Sequence, residues 1–468
     1  MFKKHVSIII ALISALSCFQ SAYAQDDDTL PIYIVQPGEN LTEIANKFHI
    51  SIQDLINANN IPDVNIISEG SKLFIPGLEG VSGILITKQV DFGEHLETIL
   101  RQNQLNLDNF KRLNSITSPA EIYVGSTLVL PQPEQNQSSK SNVVVDANQS
   151  LFSVALQNGL NPWVIAINNE ISVSTILPGD VLFFEPTENP INVSIFSNSI
   201  SNISVRPLPV SQGHTMVVYI YAKSPGKFFG NLDGKSFNFF EDKENGYYYG
   251  LNGVSAIAEP GLVPLSIEGE FENGDKFSAE QNLLLTSGGY QKENLSVEDT
   301  TIEQSIIEEE NKLIQEVLNI VSQQKLWNEK FRFPVDGSLD DGSIAFSSYF
   351  GSRRSYNNGQ YVGYHGGLDF KVVLMSLNIY SVAPGRVIFA GPMNIRGNTI
   401  FIDHGQGVIS GYAHMKEFTV SEGDMVEKGQ LIGLIGNTGR VTGPHLHWDI
   451  WVNRTPVDPF DWVNNNYP

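Results

Sequence analysis

The chain has 468 residues, more than one hydrophobic core usually serves, so several domains are expected. Apolar residues make up 41% and aromatic residues 10%, which is enough to build packed cores and excludes an intrinsically disordered protein. The formal net charge is −22, and so acidic a chain lacks the basic stripe that binds a phosphate backbone. We therefore expect no nucleic-acid partner.

Residues 1–24 have the pattern of an export signal. Two lysines precede an apolar run from Val6 to Leu16, and small residues then end at Ala24 in an A-x-A-like cleavage site. The run is too short to span a bilayer as a helix. After cleavage we expect no transmembrane helix and a location outside the cytoplasm: secreted, periplasmic or associated with the cell wall.

Cys18 is the only cysteine, and it would be removed with the signal. The mature chain would then have no disulfide, so its stability must come from packed cores or bound metal. An alternative treats "ALSC" as a lipoprotein box with Cys18 as the lipidated residue. The intact cleavage site downstream favours the export signal over this alternative.

Three segments repeat one pattern at steps of 55 residues, with a short strand, two helices and a last strand that ends at proline. In the first copy, Ser51 and Asp54 are placed to cap the second helix. The pattern predicts three βααβ units at residues 31–77, 84–132 and 142–187. The matching positions are Leu41, Leu96 and Leu151; Asn59, Asn114 and Asn169; and Pro76, Pro131 and Pro186.

These units resemble the LysM domain, on the stretches "YIVQPGENLTEIA", "INANN" and "GSKLFIP" of the first copy. The resemblance implies binding of glycans that contain N-acetylglucosamine, such as peptidoglycan and chitin. The start of the unit changes to "QVDFGE" in the second copy and to "VVVDANQ" in the third. Whether the last two copies bind glycan or act only as spacers is left open by the residues.

Residues 190–287 change to a period-two pattern, with runs such as "MVVYIYA" and "GYYYGL" between Asp-Gly and Asn-Gly corners. This pattern predicts an Ig-like β-sandwich. It offers no catalytic set, because His214 is its only histidine, and the domain is interpreted as a spacer or docking domain.

Residues 296–327 are predicted to form one long connecting helix. "SVED" is a capping-box candidate, acidic residues fill the first half, and an apolar stripe runs along one face. The stripe, which is short for a coiled coil, predicts packing against a neighbouring domain. Its residues are Ile306, Leu313, Val317 and Val321.

Residues 331–468 concentrate the chemistry, with five histidines between positions 365 and 447. Short β-type runs and glycine turns predict a compact β fold that brings separate strands together. A hydrolytic zinc site needs three protein ligands and a nearby group that acts on water or an oxyanion. The candidates are His365 and Asp369 in "YHGGLDF", His414 in "GYAHM", and His445 and His447 in "PHLHW", where strand alternation puts the last two on one face.

In this order the motifs resemble the lysostaphin/LytM class of zinc metalloendopeptidases, over residues 331–465. The resemblance implies an antiparallel β domain with a shallow groove and one zinc per chain, bound by His365, Asp369 and His447. It assigns His414 and His445 to catalysis. The implied reaction is hydrolysis of a peptide bond in the peptidoglycan stem peptide or cross-link, with a zinc-activated water as nucleophile.

His404 in "IDHG" is also typical of this class and is assigned no catalytic role. The segment "KVVLMSLNIYSVAPG" departs from the usual turn of the class, which predicts a different cleft wall. Two alternatives to an active enzyme are a silent regulator of cell-wall amidases and a latent enzyme whose cleft another domain covers. The complete set of five residues argues against the regulator.

The predicted architecture is therefore multidomain and mainly β: LysM repeats, an Ig-like sandwich, a connecting helix and a C-terminal antiparallel β peptidase domain. Peptidoglycan is the expected partner, through its glycan at the repeats and its peptide at the peptidase domain. Binding to the glycan would raise the effective concentration of peptide substrate at the cleft.

Overall fold

The structure is a computed structural model that describes residues 31–63, 67–78, 80–103, 105–132, 141–146, 149–169, 171, 176–184, 196, 199–297, 303–320, 322–372 and 377–468. The predicted export signal, with Cys18, lies outside these residues. The chain divides into two compact units: Met1–Val90, Glu94–Ile122 and Ser126–Val193 form the first, and Asp91–Gly93, Tyr123–Gly125 and Ser194–Pro468 form the second. In the described part of the chain, every helix is too short or too polar to cross a membrane.

The first unit contains the three predicted βααβ repeats. Repeats 1 and 2 share one sheet in the order β2-β1-β3-β4, whereas repeat 3 has a separate pair, β5-β6. The elements of repeat 1 are β1 (Pro31–Ile34), α1 (Leu41–Lys47), α2 (Ile52–Asn59) and β2 (Lys72–Phe74). Those of repeat 2 are β3 (Gly83–Gln89), α3 (Leu96–Asn103), α4 (Leu107–Asn114) and β4 (Thr127–Pro131). Those of repeat 3 are β5 (Ser141–Val144), α5 (Leu151–Gln157), α6 (Pro162–Asn168) and β6 (Val181–Phe184).

The repeated asparagine has the same structural role in each copy. The side-chain amide of Asn59 donates to the carbonyl oxygen of Phe74 at 2.8 Å, and its oxygen accepts from the Phe74 N–H at 2.7 Å. This pair of bonds fastens the second helix to the last strand, which explains why asparagine recurs at the 55-residue step. The equivalent pairs are Asn114 with Val129 and Asn169 with Phe183.

The second unit begins with a sandwich of two sheets around one core. One sheet has the order β11-β10-β14-β15-β8 and the other β12-β13-β9-β7. The strands are β7 (Ile200–Arg206), β8 (Val210–Ser211), β9 (Thr215–Ala222), β10 (Gly226–Leu232), β11 (Lys235–Asn238), β12 (Phe240–Asp242), β13 (Tyr247–Gly253), β14 (Gly261–Phe271) and β15 (Lys276–Thr286).

The C-terminal domain is built on a mostly antiparallel sheet with the path β17-β20-β27-β24-β23-β22-β25. Beside it, β16, β18 and β19 form a small three-stranded sheet in the order β16-β18-β19. The elements are β16 (Lys292–Leu295), α7 (Gln304–Leu318), β17 (Phe346–Ser348), β18 (Arg353–Tyr356), β19 (Tyr361–Tyr364), β20 (Leu368–Lys371), β21 (Asn378–Tyr380), β22 (Gly385–Met393), β23 (Gly397–Gly405), β24 (Val408–Phe418), β25 (Met425–Val426), β26 (Leu431–Ile435), β27 (His445–Val452), β28 (Thr455–Val457) and α8 (Pro459–Asn464).

The connecting helix is shorter than the predicted range 296–327, because α7 covers only Gln304–Leu318. Before it, Leu295 pairs with β18, and Val297 donates its N–H to the side chain of Asn357, which keeps the chain extended. After it, the carbonyl oxygen of Ser322 accepts a hydrogen bond from the Gln406 N–H at 2.6 Å. Tertiary hydrogen bonds thus replace helical ones at both ends.

The buried face of α7 also differs from the predicted stripe. Ile307, Ile314, Val317 and Leu318 are buried, whereas Ile306 and Leu313 are only partly buried and Val321 lies outside the described residues. As predicted, the helix packs on a neighbouring domain, against apolar residues of the strands β22, β23 and β24. The buried Glu310 on the same face accepts hydrogen bonds from the backbone N–H groups of residues 395 and 396.

The sandwich docks on the C-terminal domain through β9 and β13. Asp461 of α8 accepts a hydrogen bond from the Thr215 N–H at 2.9 Å and lies 2.7 Å from Nδ1 of His214. Tyr249 donates its hydroxyl to Gln406 at 2.6 Å. His214 is therefore part of a contact between two domains rather than an isolated surface residue.

Candidate functional site

The strand order brings three predicted metal ligands together. β20 and β27 are antiparallel neighbours, with Asp369 directly opposite His447, and His365 lies in the turn that leads into β20. A Cβ on Gly367 in that turn would meet the carbonyl oxygen of Trp448 at 2.3 Å, so only glycine lets the turn approach β27 this closely.

The ligand atoms of these three residues converge on one point. Nε2 of His365 lies 2.9 Å from Oδ1 of Asp369 and 3.0 Å from Nδ1 of His447, and that Nδ1 lies 2.8 Å from the same Oδ1. His365 is 1% exposed and Asp369 is 6% exposed, so both side chains are shielded from bulk solvent. Three buried ligand atoms this close to one another could hold a metal ion.

The outer nitrogen of each ligand imidazole fixes its tautomer. Nδ1 of His365 lies 3.0 Å from the carbonyl oxygen of Tyr349, which can only accept, so a hydrogen on Nδ1 leaves the Nε2 lone pair free to bind a metal. Nε2 of His447 lies 3.3 Å from a carboxylate oxygen of Asp449, which leaves its Nδ1 free in the same way. Two imidazole nitrogens and one carboxylate oxygen form a donor set that suits zinc with a position left open.

His414 and His445 lie side by side next to this cluster, with ring centroids 4.7 Å apart. Nδ1 of His414 lies 2.8 Å from the carbonyl oxygen of Thr438, and Nδ1 of His445 lies 2.8 Å from that of Gly443. Both Nε2 atoms are thereby left as proton acceptors. The Nε2 of His445 is 3.8 Å from Oδ1 of Asp369, so it lies close to any molecule that the cluster binds.

The backbone of His414 is held in an unusual conformation. Its φ is +62° within β24, a left-handed value that costs non-glycine residues free energy and is typical of functional sites. Its N–H donates to the carbonyl oxygen of Arg396 at 2.8 Å, and the pairing of β24 is irregular here. The irregularity redirects the His414 side chain toward His445.

Burial and mutual charge shift the pKa of each of the three clustered side chains. Burial lowers the pKa of His365 to about 4. Burial acts to raise the pKa of Asp369, but the charges and hydrogen bonds of His365 and His447 lower it well below its usual value. Burial acts to lower the pKa of His447, but hydrogen bonds to Asp369 and Asp449 raise it. These three pKa shifts follow from burial and from the mutual contacts of the clustered side chains.

The pKa of His414 shifts in the opposite direction to that of His447. Burial lowers it well below its usual value, and the neighbouring imidazoles of His445 and His447 lower it further. A neutral His414 whose Nε2 lone pair is free can accept a proton near neutral pH.

An outer set of polar residues supports the ligands, and sequence analysis did not identify it. Arg354 donates to Oδ2 of Asp369 at 2.8 Å, and Asp449 forms an ion pair with Arg396. Asp449 could have been found from sequence, because it lies two positions after His447 on the same face of β27. Arg354, Arg396 and Thr438 carry no comparable signal, since their roles depend on how distant segments pair.

His404 lies outside this cluster and has a partner at each ring nitrogen. Nδ1 is 2.8 Å from the carbonyl oxygen of Pro384, and Nε2 is 2.7 Å from the hydroxyl of Ser410. With both nitrogens engaged and the ring fully buried, His404 supports the fold rather than the chemistry. The altered segment 371–385 is described except for residues 373–376.

Comparison with family models identifies both kinds of domain. Residues 363–459 match Peptidase family M23, and residues 33–76, 89–131 and 143–184 match the LysM domain. The chain thus carries an M23 peptidase domain and three LysM domains, which confirms both resemblances and the multidomain, mainly β architecture. Peptidases of family M23 are zinc-dependent, and the cluster of His365, Asp369 and His447 is compatible with zinc.

Similar proteins include two bacterial endopeptidases. A 127-residue segment is 37% identical to the peptidoglycan DD-endopeptidase ShyA of Vibrio cholerae, covering 27% of this chain and 28% of the relative. A 95-residue segment is 39% identical to the DD-carboxypeptidase/endopeptidase Mpg of Neisseria meningitidis serogroup B, covering 20% and 22%. The chain thus spans less than a third of either relative. The crystal structure of a Pseudomonas aeruginosa protein described as a peptidase M23 matches with a TM-score of 0.42 and 26% identity, over 56% of this chain and 96% of that one.

Proposed function

Because the chain carries an M23 peptidase domain and three LysM domains, we propose that it is an exported, peptidoglycan-binding zinc endopeptidase that hydrolyses peptide bonds of the stem peptide or cross-link. The convergence of His365 Nε2, Asp369 Oδ1 and His447 Nδ1 beside two further imidazoles carries the proposal. The similarity to a relative named as a peptidoglycan DD-endopeptidase supports the choice of substrate.

The proposed ligands of one zinc ion are His365, Asp369 and His447. When bound, zinc lowers the pKa of a coordinated water to about 7 and polarises a carbonyl group. Hydrolysis adds water across the C–N bond, so one proton must leave the water and one must reach the departing amine. His445 and His414 present free Nε2 atoms that would take up these protons, and a protonated Nε2 would then donate a hydrogen bond to the oxyanion.

Location and tethering follow from the rest of the chain. The export pattern of residues 1–24 supports a location outside the cytoplasm: secreted, periplasmic or associated with the cell wall. The LysM domains bind the glycan, which keeps the peptidase domain close to its peptide substrate. We propose this tethering for repeat 1, whose sequence is nearest to the LysM domain pattern.

Two measurements on the mature full-length chain test the proposal. The first is the zinc content of the purified protein, and the second is mass spectrometry of peptides released from purified peptidoglycan. The expected result is one zinc per chain and new peptide termini, with His445→Ala retaining zinc and releasing none. Zinc without new termini would contradict hydrolysis and favour a regulatory role, and a chain that binds no zinc would contradict the metal site itself.

A further inference from the structure

Glu293 lies outside residues 363–459, yet it contacts the network behind the proposed metal ligands. It belongs to β16, which pairs in parallel with β18 so that Glu293 is opposite Arg354. Its carboxylate lies 3.1 Å from Nε of Arg354 and accepts the hydroxyl of Ser348 at 2.8 Å. Two residues next to the ligands are thus held by a carboxylate from the segment between the sandwich and α7.

The hydroxyl of Ser348 must point toward Glu293. Its oxygen accepts from Nη2 of Arg354 at 2.8 Å and lies 3.1 Å from Nδ1 of His365, which carries a hydrogen when Nε2 binds a metal. Both of these neighbours are donors, so the single hydroxyl hydrogen is directed to the carboxylate. The charge of Glu293 therefore orients Ser348 to accept from Nδ1 of His365, which adds a second acceptor to the carbonyl oxygen of Tyr349 and supports the metal-binding tautomer.

Glu293 also positions Arg354 relative to Asp369, as it positions Ser348 relative to His365. Its Nη2 donates to Oδ2 of Asp369 at 2.8 Å, whereas Oδ1 faces the two ligand imidazoles. The side chains of Arg354 and Asp369 are only 13% and 9% exposed, so their attraction is weakly screened. Glu293 accepts from Nε of the same guanidinium group and thereby keeps Arg354 on Oδ2.

We propose that Glu293 is a positioning residue of the zinc site, acting through Ser348 and Arg354 on His365 and Asp369. This inference rests on the proposed zinc peptidase function. Without the carboxylate, the guanidinium group can shift toward Oδ1 of Asp369 and compete with zinc for that oxygen. Loss of a group that orients metal ligands typically lowers metal affinity about 10- to 100-fold.

The test is the zinc dissociation constant of the full-length chain, measured by competition with a chromophoric chelator in the absence of substrate. Glu293→Gln keeps the size of the side chain and the backbone pairing of β16 but removes the charge. We expect it to raise the zinc dissociation constant about tenfold or more. Glu280→Gln, which removes an exposed carboxylate from β15, is the matched control and should leave the constant unchanged.

A merely structural role for Glu293 makes a different prediction. It would lower the melting temperature of the zinc-free chain while leaving the zinc dissociation constant, measured well below that temperature, equal to that of the parent. Equal constants would overturn the inference while leaving the proposed function intact. A parent chain that binds no zinc would instead overturn the proposed function, and the inference with it.

A second variant keeps the test decisive if Glu293→Gln does not fold. Ser348→Ala removes the hydroxyl through which Glu293 acts on His365, and it should weaken zinc binding in the same direction. When both variants fold, the double variant should lose less affinity than the product of the two single losses, because both act in one network. Fully multiplicative losses would contradict the shared pathway.

Discussion

His447 and Asp369 face each other across adjacent antiparallel strands, and Nδ1 of His447 lies 2.8 Å from Oδ1 of Asp369. The register of β20 and β27 places both side chains on one face of the sheet, so the fold determines their contact. His365 reaches the same oxygen from the turn before β20. Strand pairing, together with the turn before β20, therefore preorganises the three proposed ligands.

Asp369→Asn tests the role of this carboxylate. Asparagine has nearly the same shape but lacks the charge that attracts a cation, so zinc affinity should fall by more than about 100-fold, beyond the effect of losing an orienting group. The zinc dissociation constant measures this directly. Asp340→Asn, at an exposed position, should behave as the parent does. Equal zinc affinity in Asp369→Asn would exclude this residue as a ligand.

His414→Ala separates catalysis from metal binding. The side chain contacts the cluster but is not a proposed ligand, so the variant should retain its zinc while kcat falls about 10²- to 10⁴-fold, the usual contribution of a general acid or base. Single-turnover release of new peptide termini gives the rate. The exposed His95 provides the control, His95→Ala, with an unchanged rate expected. A full rate in His414→Ala would remove this residue from the mechanism.

Activity should fall below about pH 6, because ligand imidazoles must be neutral to bind a metal. The raised pKa of His447 gives the direction of this effect. Protons compete with zinc most effectively at this residue, so zinc affinity decreases as the pH decreases. Zinc content and peptide release should decline together across this range. A flat activity profile down to about pH 4 is incompatible with this ligand set.

The contact between His214 and Asp461 should make stability depend on pH. A hydrogen bond to Asp461 raises the pKa of His214, so its stabilising effect is complete below the unfolded value of about 6.5 and is lost as the pH rises through the folded value. In the presence of a chelator, His214→Gln should lower the melting temperature more at about pH 5.5 than at about pH 8.5.

The control for this measurement is His49→Gln, which changes an exposed histidine of the first unit. It should shift the melting temperature equally at both pH values. An equal shift for His214→Gln as well would show that its ion pair with Asp461 contributes nothing measurable to stability.

Much of the fold could be predicted from sequence, because its signals are local. Leu41 and its counterparts repeat at a fixed step, and each repeat contains the helix and strand periods that specify βααβ. The asparagine at position 59 recurs for a reason that only the structure reveals: its amide ties a helix to a strand 15 residues later.

The errors arose where long-range contacts override local pattern. The helix predicted over residues 296–327 is shorter in the structure. Backbone groups on either side of it hydrogen-bond with β18 and with the turn after β23 instead. In the same way Glu293 gave no sequence signal, since its role depends on β16 pairing with a strand about 60 residues further on. Sequence motifs located the candidate ligands, but not the residues that hold them.

The most direct test of the proposed metal centre is an anomalous difference map, collected at the zinc edge from crystals of the zinc-loaded full-length chain. The predicted result is one peak per chain at about 2.0–2.2 Å from Nε2 of His365, Oδ1 of Asp369 and Nδ1 of His447, with His414 and His445 beside it but not bound. A peak ligated by other residues, or no peak in this cluster, would contradict the proposed zinc site.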